Sequence, residues 1–166
     1  MKSLLAVIGA LGASTAAIGA PIAPISQVTV VIGPKLEAKA NVYGQRDLDQ
    51  LADGLRKAVE SALARSGAAG PGGGRLELVL ADAIPNRPTS KQLGASTDLS
   101  FRSVGIGGAT IEGALVLPDG ATRPVRFQYR PVDIRDVHAA GVWSDAYWTF
   151  EQFAGRAARG DLYAAR

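Results

Sequence analysis

GIGGATIEGALVLPDG, residues 105–120, is the stretch on which the fold turns. Gly105 and Gly107 stand where the first two glycines of a G-x-G-x-x-G/A dinucleotide loop would be, and the third position is Thr110. Such a loop lies between a strand and a helix, so that a pyrophosphate meets the free amides of the helix N-terminus. Here the continuation is ALVLPDG, a strand and a hairpin turn, and no helix receives a phosphate. The glycines therefore read as a sharp bend or bulge, or as a close approach of a helix backbone. A positive φ is expected at Gly105, Gly107 or Gly108. No cofactor is expected.

Downstream, TIEGALVL and ATRPVRFQY flank Pro118-Asp119-Gly120, in which Pro pre-sets φ and Gly takes the positive φ of a bulged hairpin loop. Val125, Phe127 and Tyr129 alternate with Arg126, Gln128 and Arg130, so one face is buried and the other meets water. Pro124 lacks a backbone donor and argues for a sheet edge. Upstream, Asp98–Val104 (DLSFRSV) reads as another strand, with Leu99 and Phe101 on one side and Arg102 on the other. Arg75–Ile84 alternates Leu76, Leu78 and Leu80 with Glu77 and Val79, and PNRPT ends it. SKQLGAST reads as a polar surface loop.

The surest element is DLDQLADGLRKAVESALARSG, where Leu48, Leu51, Leu55, Val59, Ala62 and Leu63 recur at helical spacing. Asp47 with Gln50 fits a capping box, and Gly67 suits the left-handed C-terminal cap. Its charges, Asp49, Asp53, Arg56, Lys57 and Glu60, read as a solvated face. GAAGPGGG, residues 67–74, lacks the Lys-Ser/Thr of a phosphate loop and leads into a strand, so it reads as a connector. Ahead of the helix, Ser26–Ile32 is a β-branched strand ending at Gly33-Pro34, and Lys35–Val42 is expected to continue extended. The last helix starts at Ser144 as N-cap and buries Ala146, Phe150, Phe153, Ala154 and Ala157. Trp148 points away from that face, beside Glu151, Gln152 and Gly155. It is either covered by the loop Pro131–Trp143 or a contact for a partner.

The whole reads as an α+β domain over residues 25–163, in the order β-α-β-β-β-β-α. Its largely antiparallel sheet of about five strands carries two helices on one face, and its open face is polar and arginine-bearing. With 166 residues, 47% hydrophobic and 20% charged, the chain has material for one core. Net charge is +3 without a dense basic run, which argues against nucleic-acid binding. Lys2 followed by LLAVIGALGASTAAIGA has the order of a secretory signal peptide. Cleavage after Ala16 is expected, the boundary lying as late as residue 23; the alternative is an uncleaved anchor over residues 3–23. A periplasmic or secreted location follows from the first reading.

The chain has no cysteine and one histidine, His138, so thiol chemistry is excluded and no metal site is expected. A hydrolase would have to use His138, with Ser90, Ser96, Ser100, Ser103 or Ser144 as nucleophile and Asp133 or Asp136 as orienting acid. No serine sits in a G-x-S-x-G elbow. Glu112 reads as a solvent-facing strand residue. No catalytic residue is assigned.

The leader, YGQRDLDQLADGLRKAVESAL, PNRPT, SFRSVGIGGATIEGALVLPDG and WTFEQFAGRAARGDL together resemble small uncharacterised bacterial cell-envelope proteins, many of them lipoproteins. The lipid-anchor cysteine of the lipoproteins is absent, and the resemblance implies no catalytic residue. The expectation is a non-catalytic exported protein that binds another envelope component, an envelope protein, through Trp148 and Gln152 or through Arg126 and Arg130 on the sheet. The alternative is a hydrolase acting on an envelope or extracellular substrate through His138.

Overall fold

The alternation of Leu76, Leu78 and Leu80 puts one buried side chain at every second position of the longest strand, and that strand becomes central. The computed structural model describes residues 24–138 and 140–162; the expected signal segment 1–16, its outer bound at 23, and residue 163 lie outside the described residues. The elements are β1 (Ile25–Ile32), α1 (Pro34–Glu37), α2 (Ala40–Tyr43), α3 (Gln45–Ser66), β2 (Gly74–Ile84), α4 (Ser90–Ala95), β3 (Gly108–Val116), β4 (Thr122–Tyr129), a single 3-10 turn (Ile134–Asp136) and α5 (Ser144–Arg159). The fold is α+β, with one mixed sheet of four strands in the order β1-β2-β3-β4.

β1 and β2 are parallel, whereas β2-β3 and β3-β4 are antiparallel. The expected antiparallel five-strand sheet with two helices is thus corrected to a mixed four-strand sheet with five helices. The parallel pair follows from α3, whose 22 residues carry the chain back the length of the sheet before β2 begins. The expected strand at Asp98–Val104 is absent. β2 already has β1 and β3 on its two sides, and Ile84 pairs directly with Gly108, so the intervening chain loops out beyond the end of the β2-β3 pair and adds no strand beside β2.

α3 and α5 lie against each other and cover one sheet face. Leu48, Leu51, Leu55, Val59 and Leu63 of α3 and Phe150 and Phe153 of α5 meet Leu76, Leu78, Leu80 and Ile111, all essentially excluded from water. Burying a side chain of this size contributes roughly 1.5–3 kcal/mol. Phe127 of β4 adds a tilted contact with Phe153, 6.0 Å between ring centres. The opposite face is open and carries Arg75 with Glu77, and Glu112 with Arg126, as ion pairs. The polar, arginine-bearing face expected from the alternation is present, and Pro124 lies on the edge strand β4.

Several local expectations are corrected. Lys35–Val42 is not extended: Pro34 occupies the first turn of α1, where its missing donor costs nothing, and Leu36 is buried. α3 starts at Gln45 behind Gly44, so Asp47 caps nothing, while Gly67 does end the helix at φ 71°. SKQLGA is the helix α4, closed by a capping box between Thr89 and Gln92. Trp143 precedes α5, and Ser144 Oγ instead accepts from Gly141 N at 2.7 Å and donates to Gly141 O at 3.3 Å. The hairpin turn holds as read: Gly120 has φ 85°, and Leu117 N donates to Ala121 O at 2.8 Å.

Candidate functional site

The C-terminal ends of β1, β2 and β4, the start of β3 and the start of α5 come to one end of the sheet. Two long loops, residues 85–107 and 130–143, emerge there and are joined by a buried polar cluster. Asp145, in the first turn of α5, has no exposed surface. Its Oδ2 accepts from Asn86 Nδ2 at 2.6 Å and from Gly107 N at 3.2 Å, and its Oδ1 accepts from His138 N at 2.9 Å and lies 3.1 Å from His138 Nδ1. A carboxylate only accepts, so His138 carries its proton on Nδ1. Asn86 is used on every side: Nδ2 also donates to Gly105 O, Oδ1 accepts from Asp145 N, its N donates to Val142 O, and its O accepts from Gly105 N. Among the described residues no buried side-chain polar atom lacks a partner.

This cluster explains the glycine run. A Cβ on Gly107 would stand 2.6 Å from the Asn86 amide, so the residue must be glycine for its N–H to reach Asp145. The loop presents an amide to an anion, and that anion is the protein's own Asp145. Gly108 has the expected positive φ, 140°, and its missing Cβ admits the backbone of Tyr129 and Arg130. Gly113, at φ 152°, lies against the backbone of Glu77 and Leu78. The close neighbour is therefore an adjacent strand and not a helix. Gly105 has ordinary φ and open space beside it, and nothing in the structure explains that glycine.

Burial pushes the Asp145 carboxyl up, but the donors from Asn86, from the His138 amide and ring, and from Gly107 outweigh it and hold the group below the usual aspartate range. The N-terminus of α5 adds a favourable dipole. Tyr129 is pushed up by burial and by the charges of Asp145 and Asp136. His138 stacks on Trp148, with ring centres 4.5 Å apart and planes at 20°. Trp143 is buried beside this cluster; its Nε1 donates to Asp47 Oδ2 at 3.2 Å and its ring meets the edge of Tyr43.

The residues singled out from sequence are not all brought together. Trp148 and Gln152 are exposed on α5, one turn apart; His138 of the loop Pro131–Trp143 stacks on Trp148, which is 36% exposed. Arg126 lies on the opposite sheet face beside Glu112, so it shares no site with Trp148. Arg130 is exposed at the end of β4, beside a groove it lines with Tyr129, Val132, Arg135 and His138. The acid that meets His138 is Asp145; Asp133 binds Arg135 instead. No described hydrogen bond joins a serine to His138.

Sequence pattern does not single out Asp145 or Asn86, and it assigns Asp47 to a helix cap where the structure gives it to the Trp143 indole. Asp145 was hidden as the first turn of a helix, and Asn86 as the middle of a proline turn; the one available signal was an acid within SDAYW on an otherwise apolar helix face. Large apolar side chains also remain outside the core. Nine are exposed among the described residues, and seven of them, Leu99, Phe101, Val104, Val132, Ile134, Tyr147 and Trp148, lie on the two loops and the start of α5. Phe101 is 76% exposed on a braced backbone, since Arg87 Nη1 donates to Phe101 O at 2.7 Å and Ser103 N donates to Ser100 O at 3.0 Å. Among the described residues no three His, Asp or Glu side chains are grouped to hold a metal, and no helix is long and apolar enough to cross a membrane. No protein-family model matches the chain and no curated protein matches it, so the reading of this loop end rests on its own geometry.

Proposed function

We propose that the chain is an exported, non-catalytic protein of the bacterial envelope that binds another envelope protein through the loop end of its sheet. The observation that carries the reading is that seven of the nine large exposed apolar side chains belong to the loop end, five on its two loops and two at the start of α5, on a frame held by a buried, fully bonded cluster. An apolar surface presented on a rigid support is the composition of a binding patch, because little ordering cost is left to offset contact. Lys91, Arg102 and Arg130 are exposed at the same end together with Asp98 and Asp136, so the partner surface expected is apolar and edged with charges of both signs. Export rests on the leader-like order of residues 1–16.

The test is crosslinking in the intact envelope followed by recovery of the tagged protein. Phe101→Ser and Trp148→Ala should each lose the crosslinked protein while keeping the wild-type melting curve. A crosslinked protein retained by both variants, or none enriched by the wild type, would sink the proposal. A second reading is favoured by the His138–Asp145 pair, which has the orientation of a general base in a hydrolase. It requires ester or amide hydrolysis that His138→Ala abolishes.

A further inference from the structure

The two sheet edges are treated differently. β4 is guarded by Pro124, Arg123 and Arg126, the means by which proteins discourage strand addition. β1 reads ISQVTVVI: eight residues, no charge and no proline. Among the described residues it has a strand neighbour on one side only. Its start is closed on the other side by Ala68 and Gly70, which bond Ile25 N and O at 2.8 and 3.1 Å, and its end is closed by the turn at Gly33-Pro34. Between them, no described strand or loop pairs with the outer side of the stretch from Gln27 to Ile32.

Parity says which groups are open. Gly33 N donates to Leu80 O at 2.9 Å, toward β2. Amides of alternate residues in a strand point the same way, so Thr29 and Val31 also face β2, and Val28, Val30 and Ile32 direct their N–H and C=O outward. Among the described residues no backbone group beyond the sheet bonds them. Val31, on the open face, is 58% exposed.

We infer that this edge pairs with β1 of a second copy of the chain, antiparallel about a two-fold axis at Val30. Val30 then faces Val30, and Val28 faces Ile32 of the second copy, exchanging about six main-chain hydrogen bonds. On the open face Thr29 lies opposite Val31. Each pair joins β-branched side chains, the combination favoured across strands. No charge meets its own image at the axis, which a self-complementary edge requires and which the arginines of β4 would violate. The two sheets become one continuous sheet of eight strands, and the loop ends remain free.

Light scattering on the full chain, with concentration varied, tests this. The wild type should be dimeric, Val31→Lys should raise the dissociation midpoint by at least about tenfold, and Gln128→Lys on the other edge should leave it unchanged. Because the lysine variant can fail for other reasons, amide exchange on the wild type is the second measurement. Val28, Val30 and Ile32 should gain protection as concentration rises, with Thr29 and Val31 protected throughout. A wild-type monomer, a dimer indifferent to Val31→Lys, or exchange at Val28, Val30 and Ile32 that ignores concentration would overturn the inference.

Discussion

Replacing Asp145 with Asn tests whether the buried cluster holds the loop end together. The carboxylate accepts four donors, two on each oxygen. An amide has one oxygen, so two donors are left facing an NH2 at a position with no exposed surface of its own. Hydrogen bonds to a charged acceptor contribute roughly 1.5–3 kcal/mol each, and breaking a buried charged contact costs about 3–5 kcal/mol. A loss of about 3–5 kcal/mol is therefore expected. In urea that lowers the midpoint by about 2 M at unchanged slope, with slopes for domains of this size near 1–3 kcal/mol per M.

The pH dependence gives a second arm. Asp145 has a lowered folded pKa, so its contribution is complete above the ordinary aspartate value and is lost as pH falls through the folded value. The difference between wild type and variant should be constant near neutrality and shrink in acid. Near-equal stability at pH 7, or a difference that does not narrow in acid, would refute the assignment of Asp145 as the organising charge.

Three further outcomes follow from the same geometry. Gly113→Ala should cost about 3 kcal/mol, read by thermal melting, because the added methyl meets the Glu77 and Leu78 backbone at a φ that side chains avoid. Asp47→Ala should cost about 1 kcal/mol and shift the emission of buried Trp143, whose indole loses its acceptor. Phe101→Ser should change stability by less than about 0.5 kcal/mol, since the ring touches mostly solvent, so any loss of partner crosslinking belongs to the surface.

Periodicity carried much of the fold. The heptad-like leucines of α3, the alternation in β2 and β4, the Pro-Asp-Gly turn and the buried face of α5 were legible because each is a property of a few neighbouring residues. The Thr89-x-x-Gln92 capping box is equally local, but the polar residues around it carry no apolar periodicity to mark a helix. Asp98–Val104 misled for the opposite reason. Its alternation suits a strand, but a strand needs an unoccupied edge beside it, and β2 has none to offer.

What the sequence determined by itself is the set of helices and strands that can bury an apolar face, and that the glycines at 105–113 lead into a hairpin. Tertiary structure decided the rest: that β1 and β2 run parallel, that Leu99, Phe101 and Val104 stay outside, and that Asn86, Gly107, His138 and Asp145 meet. Local pattern records which side of an element is apolar. It does not record which distant donor an acid will find, because that depends on how loops far apart in the chain are brought together when the sheet closes. The glycine that resembled part of a phosphate loop serves an anion after all, one supplied 38 residues away by the protein itself.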